Sequence, residues 1–411
     1  MGSGGKFNED PTMPGPLQGC RVIELAHIMA GPVAGLMLAD MGADVIKVEK
    51  LNGDDTRRFV PPTIEGESAA FMMMNRNKRG IVLDLKTEDG KNALKRLIKD
   101  ADVLIENYRM GTMEKLGLGY DALREINPGL IYCEVSGFGR TGPYAHRGGF
   151  DLIAQGMSGL MSITGEGHGR EPVKVGAPVS DITAGIVAAM GIAAAYAHKL
   201  KTGKGQKVDT SLFEAAITQT YWQSAIAFAT GKSPQAMGSA HPLNAPYQSF
   251  KTKDGWINIG AANQKNWESM LALLGAEHLN DDPRFASNAT RIENREVLAD
   301  LLTEITAGKS TDEWLQIFEK GGVPAGPVLS ITEMHADPQA IAREMIVSTR
   351  HPVAGDVKTI GLPVKFSETP GGVTRPAPVK GEHTREVLTQ AGFSDDEIDK
   401  MLASGAAVSS G

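Results

Sequence analysis

In the first half of the chain, short apolar runs alternate with longer stretches in which apolar residues recur every three or four positions. The runs Arg21–Leu25, Ala43–Val48, Ile81–Leu85, Val103–Glu106 and Leu130–Val135 are rich in Val, Ile and Leu and read as buried strands. Between them, Pro32–Met41, Gly90–Lys99 and Tyr120–Ile126 read as helices, the first opened by a proline after Gly31 and the last stopped by Asn127-Pro128. Strand and helix in alternation imply parallel β-α-β units. The expected fold is α/β, with a Rossmann-like parallel sheet at its start.

Further along, Ile182–Leu200 is a long apolar helix almost free of charge, and Lys201-Thr-Gly-Lys-Gly-Gln206 supplies a glycine stop behind it. The pattern changes after Gln219–Thr230. A loop over 231–246 leads to a hairpin, Tyr247–Phe250 with Trp256–Ile259, and then to helices as far as about Lys320. Strands return from Gly326, and the chain closes on the helix Asp395–Leu402, where Ser394 and Glu397 have capping-box spacing. The expected organisation is a flexible tail over 1–13, a large Rossmann-like domain from 14–225 and 331–411, and a small α+β domain over 226–330.

Composition narrows the function classes. A chain of 411 residues with 41% hydrophobic and 22% charged residues suits a globular protein of two domains. The net charge of -7 disfavours nucleic acid as a general partner. No apolar run is expected to span a membrane, Ile182–Tyr196 being short and rich in Ala and Gly. The opening Met1-Gly-Ser-Gly-Gly lacks the basic-then-apolar pattern of a signal peptide. Cys20 and Cys133 read as reduced core thiols of a cytoplasmic protein, and no Cys/His spacing suggests a metal site.

The candidate chemistry centres on Asp181, in the run Val175-Gly-Ala-Pro-Val-Ser-Asp181-Ile-Thr-Ala-Gly185. A lone carboxylate at the head of an uncharged helix is either an N-cap or a chemical group. The turn Ala26-His-Ile-Met-Ala-Gly31-Pro-Val-Ala-Gly35 follows a strand but is not G-x-G-x-x-G, which argues against a nicotinamide dinucleotide. Its helix start suits another anion, or is a plain connection. Lys50, Arg57, Arg58, Arg76, Lys78, Arg79, Lys86, Arg109 and Lys115 cluster in the first third, either as a phosphate-binding set or as a solvated charged face.

Taken in order, several segments resemble the class III CoA-transferase (CaiB/BaiF) family, which includes formyl-CoA and carnitine CoA-transferases. They are Arg21–Pro32, Gly42–Glu49, Asn75–Arg79 with Leu83–Lys86, Asp102–Tyr108, Lys201–Gln206, His241–Tyr247, Gly322–Pro327 and Gly381–Thr384. The resemblance spans roughly Leu17 to Leu402. It implies that Asp181 is the catalytic nucleophile, moving CoA from an acyl-CoA to a free carboxylic acid through an aspartyl anhydride and an aspartyl-CoA thioester. It also implies an interlocked homodimer, with CoA as a substrate and no permanently bound cofactor or metal.

Residue by residue, the resemblance carries CoA contacts onto His27, Ile28, Met29, Ala30, Lys50, Leu83, Lys86, Asn107, Tyr108, Lys115 and Leu116, with Arg79 and Arg109 chemically suited to join them. Gly238–His241 stands where relatives carry a glycine-rich segment over the active site, without their run of consecutive glycines. Asp151, Gly238, His241 and Arg147 are candidates for the acid pocket, His241 and Arg147 as partners for the distal group of a dicarboxylate. The chain most resembles members that pair succinyl-CoA with a dicarboxylic acceptor. The related α-methylacyl-CoA racemases use a histidine in Gly-His-Asp, where this chain has Gly149-Phe150-Asp151. Phenylalanine moves no proton, and racemisation needs an acid–base group on each face of the carbon. The racemase reading is therefore disfavoured.

Overall fold

The computed structural model describes residues 15–410; the tail expected over 1–13 lies outside the described residues. The chain divides into two compact units. One takes residues up to Ser158, Val175–Gln219 and Pro338 onward, and the other takes Gly159–Lys174 and Thr220–Asp337.

The first unit opens with β1 (Arg21–Glu24), α1 (Ala30–Asp40), β2 (Asp44–Glu49) and a small ribbon of β3 (Thr63–Ile64) and β4 (Glu67–Ser68). It continues through α2 (Ala69–Asn75), β5 (Lys78–Leu83), α3 (Glu88–Lys99), β6 (Val103–Glu106), α4 (Thr112–Lys115), α5 (Tyr120–Ile126) and β7 (Ile131–Ser136). Then come α6 (Asp151–Met157), α7 (Val179–Thr202), β8 (Lys207–Ser211) and α8 (Leu212–Thr218). The second unit holds α9 (Tyr221–Thr230), the hairpin β9 (Tyr247–Lys251) and β10 (Trp256–Gly260), α10 (Gln264–Leu274), α11 (Asn288–Glu293), α12 (Arg295–Thr306), α13 (Thr311–Gly321), β11 (Ala325–Pro327) and α14 (Ile331–Ala336). The chain then returns to the first unit with α15 (Pro338–Ala342), the hairpin β12 (Ile346–His351) and β13 (Gly355–Ile360), α16 (Thr384–Gln390), α17 (Asp395–Ser404) and β14 (Ala407–Val408).

The main sheet has the order β14-β5-β2-β1-β6-β7-β8. Every pairing in it is parallel except β14 on β5. Side chains alternate across it. Ile23, Ile46, Leu104 and Tyr132 face a core shared with α3, α5, α16 and α17. Val22, Val45, Val103 and Cys133 face the other, shared with α1, α7 and α8. Burial on both faces explains the near-continuous apolar runs, as expected for a parallel sheet. The second unit has its own core, in which Phe250, Ile257, Trp267, Phe285, Trp314 and Phe318 pack between its three-stranded antiparallel sheet and helices.

Local signals explain most boundaries. Thr87 caps α3 by accepting from the Gly90 N–H, with Glu88 and Asp89 in the first turn and Arg96 and Lys99 in the last. Ser394 and Glu397 form the expected capping box of α17. The glycine stop is Gly203, left-handed at φ 72. Two readings are corrected. Strand β5 begins at Lys78, three residues before the apolar run, because Glu24 neutralises the Lys78 ammonium and lets it be buried. Helix α7 has 24 residues and is, by length and composition, long and apolar enough to cross a membrane. Its buried residues Ala184, Ala188, Ile192 and Ala195 belong instead to the core against α1 and the sheet. At Gly185 a Cβ would sit 2.6 Å from the Ala30 carbonyl, so glycine is what lets α7 close on the start of α1.

Candidate active site

Strand β1 has β2 on one side and β6 on the other, so the loops leaving β1 and β6 diverge at the carboxyl edge of the sheet. Such switch points form crevices in open α/β sheets. Here the crevice brings His27–Ala30 beside Asn107 and Tyr108. The Asn107 amide accepts from the His27 N–H at 3.0 Å and donates to the His27 carbonyl at 2.8 Å. The Ile28 N–H donates to Asp54 Oδ1 at 3.2 Å, and Lys47 Nζ holds the Ala26 carbonyl at 2.9 Å. Ile28 has φ 68, a left-handed conformation that costs a β-branched residue about 1–3 kcal/mol. Net hydrogen bonds of about 1 kcal/mol each offset that only in combination. The His27 ring lies 5.6 Å from Tyr108, and burial lowers its pKa below the ordinary value, so the imidazole is neutral at pH 7. A cleft of about 40 Å³ lies here, lined by His27, Lys50, Asp54 and Tyr108 among others.

Asp181 lies in the first turn of α7, half-buried on the helix that closes on the start of α1 at Gly185. Burial, joined by the Asp151 charge, raises its pKa from 3.8 to about 6. The N-cap reading of Asp181 is corrected. Pro178 occupies the cap position without a side-chain bond, and Asp151 supplies the acceptor, its Oδ1 taking the Ser180 N–H at 2.9 Å. Asp151 Oδ2 takes the Gln155 amide at 2.7 Å. Asp151 thus links the start of α7 to α6, with both of its oxygens accepting hydrogen bonds.

The remaining candidates separate clearly. Lys86, Arg109 and Lys115 are exposed, and Lys50 is exposed but paired with Asp55 at 2.9 Å. A Cβ on Gly148 would lie 3.9 Å from the Arg109 guanidinium. Leu116 packs partly against the core. Leu83 has its side chain 1% exposed within that core, and its strand pairs with β14. Arg57, Arg76, Lys78 and Arg79 do not form a phosphate-binding set. They pair with Glu49, Asp40, Glu24 and with Asp44 and Glu386, respectively, inside the fold. Arg147 lies over the Tyr144 ring at 4.0 Å, and Phe150 is 71% exposed at the head of α6. In the second unit, His241 packs against Trp222 and Tyr247, while Gly238 borders an open cleft with Glu166 and Arg170.

Sequence reasoning missed the layer beneath the crevice. Lys47 is fully buried and pairs with Glu24 at 3.0 Å and Asp54 at 2.8 Å. Burial opposes its charge, but Glu24, Asp54 and Glu49 outweigh it and push its pKa up. Glu106 accepts from the Tyr108 N–H and from Arg140, which also holds the Tyr108 carbonyl. Burial raises Glu106 to about 7 against the pull of Arg140. The available signal was a charged residue inside an apolar strand, as in Asp44–Glu49.

The crevice thus lies at a sheet switch point, where open α/β sheets take their ligands, and Asp181 stands in the first turn of α7. The family model for CoA-transferase family III matches residues 17–384, and the chain belongs to that family. It is 42% identical to a succinate–glutarate CoA-transferase of Agrobacterium fabrum, over 92% of this chain and 96% of the relative. It is 40% identical to a succinyl-CoA:mesaconate CoA-transferase of Haloarcula hispanica, over 92% and 97%. A crystal structure of a CaiB/BaiF family protein from Brucella suis, 42% identical, superposes with a TM-score of 0.83 over 92% of this chain and all of that one. The protein is a CoA-transferase that acts on CoA thioesters.

Proposed function

We propose that the enzyme transfers CoA from succinyl-CoA to a dicarboxylic acid, with Asp181 as covalent nucleophile. The observation that carries this reading is the placement of the Asp181 carboxylate, half-buried in the first turn of α7 with Asp151 beside the same helix start. A carboxylate nucleophile divides the transfer into accessible steps. Asp181 attacks the thioester carbonyl and expels CoA thiolate, leaving a mixed anhydride. The thiolate attacks the aspartyl carbonyl, releasing the donor acid and forming an aspartyl-CoA thioester. The acceptor carboxylate attacks that carbonyl, again expelling thiolate, which then takes the acceptor acyl group and frees Asp181.

The substrate class is supported by the two relatives whose names pair succinate or succinyl-CoA with glutarate or mesaconate. In a panel of acids with succinyl-CoA and acetyl-CoA, dicarboxylates with succinyl-CoA should give the highest kcat/KM. Preference for a monocarboxylate would contradict the assignment.

His27–Ala30, Asn107 and Tyr108 form the CoA crevice in this reading, with Lys50, Lys86, Arg109 and Lys115 toward its phosphates. Alanine at Lys86 or Lys115 should raise KM for acyl-CoA much more than KM for the acceptor, and the difference should shrink with added salt because exposed charge pairs are screened. Equal effects on both substrates would point to general damage.

We also propose that the two units are domains of an interlocked homodimer. On the first unit, α6 and α7 expose Leu152, Ile153, Met157, Ile186 and Met190, an apolar complement suited to a second copy. Differently tagged dimers mixed under native conditions should exchange almost no subunits; a folded monomer in dilute ultracentrifugation would contradict the arrangement. The buried free thiols of Cys20 and Cys133, the first raised to about 12 by burial, support a reducing cytoplasmic setting.

A further inference from the structure

We propose that Glu106 and Arg140 are positioning residues for CoA, clamping the backbone of Tyr108 from both sides. The inference rests on the reading that His27–Ala30, Asn107 and Tyr108 form the CoA crevice, and it adds two side chains beneath that crevice. Strand β6 makes its last pairing with β7 at Glu106 against Glu134, so Tyr108 lies beyond the ladder. Side chains serve its peptide groups instead. Glu106 Oε2 accepts from the Tyr108 N–H at 2.6 Å, and Arg140 Nη2 donates to the Tyr108 carbonyl at 3.0 Å. The same Nη2 donates to Glu106 Oε1 at 2.8 Å, which joins the two halves of the clamp.

Arg140 is itself fixed. Its Nε meets Glu134 Oε1 at 3.1 Å, and its backbone N–H donates to Asp209 Oδ2 at 3.0 Å on the neighbouring strand. Lys207 holds the other Glu134 oxygen at 2.5 Å. The loop that delivers Arg140 turns at Gly139, left-handed at φ 87, whose N–H donates to Ser136 Oγ at 2.9 Å. Arginine suits the place because its planar fork reaches two carboxylates and a carbonyl at once. All three side chains are nearly sealed from water: Arg140 is 9% exposed, Glu134 6% and Glu106 3%. Such a buried network is a poor source of stability, since desolvation offsets its attraction. What it supplies here is geometry.

That geometry falls on the residue that shapes the crevice. The Tyr108 ring lies 5.6 Å from the His27 ring and lines the cleft with His27 and Lys50. One residue earlier, the Asn107 amide ties the turn to both peptide groups of His27. The turn is therefore held on two sides, by Asn107 toward the His27 loop and by the clamp toward β7. With the clamp weakened, the turn spends less time in the binding arrangement, and the apparent affinity for CoA falls by the same fraction. Glu106 and Arg140 touch no reacting atom in this account, so turnover at saturation is left alone.

The test measures Kd for CoA by calorimetric titration, and kcat at saturating substrates, in Glu106→Gln, Arg140→Lys and the double variant. Glutamine keeps the shape of Glu106 but offers one acceptor for two donors. Lysine keeps the charge that faces Glu106 and Glu134 but lacks the fork. Each single should raise Kd about three- to ten-fold, the worth of one hydrogen bond, with kcat changed by less than about two-fold. The double should resemble the weaker-binding single, because the two side chains act as one unit. An unmoved Kd in Glu106→Gln or in Arg140→Lys would overturn the inference. So would effects that multiply in the double, or a fall in kcat as large as the loss of affinity. Should one single fail to fold, the other decides. Failure of the crevice reading looks different: Tyr108→Ala, which removes the ring and keeps the clamped backbone, would then bind CoA as the parent does.

Discussion

Asp181→Asn is expected to leave a folded protein whose CoA transfer falls by about three orders of magnitude or more, as loss of a covalent nucleophile does. The same change should stabilise the fold at pH 7. The Asp181 pKa is raised from 3.8 to about 6, so the folded state resists ionisation. Stability is therefore lost as pH rises from about 4 to 6, and the loss persists at neutrality. Asparagine carries no charge to penalise. Thermal melts should show the variant above the parent at pH 7 and level with it near pH 4. Transfer activity close to that of the parent would overturn the assignment.

The second large effect is expected at Lys47. Lys47→Met keeps much of the volume but leaves Glu24, fully buried, and Asp54, 3% exposed, without their shared cation. Breaking a buried pair from one side costs about 3–5 kcal/mol, because the remaining charge is uncompensated. Lys78 still faces Glu24 at 2.8 Å and limits the damage there, so the burden falls on Asp54. Urea unfolding should show a loss in that range. A change under about 1 kcal/mol would mean that the buried charges are far better hydrated than the packing implies.

The sheet was legible because its cause is local. Runs such as Val103–Glu106 carry apolar residues on both faces, and β6 has the bounds that its pattern gave. Helix ends were legible where a side chain marks them, as Ser394 does for α17. They were misread where the marker is remote in sequence. The start of α7 is capped by Asp151, 29 residues upstream, and only the fold brings the two together. The same holds for charge. Arg76 and Arg79 look like phosphate ligands in a linear string, yet their partners Asp40 and Asp44 lie about one helix earlier and Glu386 some 300 residues later. Single positions carrying family motifs led to Asp181 and to the His27–Asn107 crevice. Their support from Lys47 and Asp54 is a three-dimensional property, hidden because buried ion pairs leave no periodic trace.

The central claim is that Asp181 carries CoA covalently, and intact-mass measurement after a short exposure to succinyl-CoA tests it most directly. The account predicts a CoA adduct on the parent protein, located by peptide mapping to the segment containing Asp181, discharged by a dicarboxylic acid and absent from Asp181→Asn. An adduct of the same mass on Asp181→Asn, or transfer proceeding in the parent with no adduct formed, would contradict it.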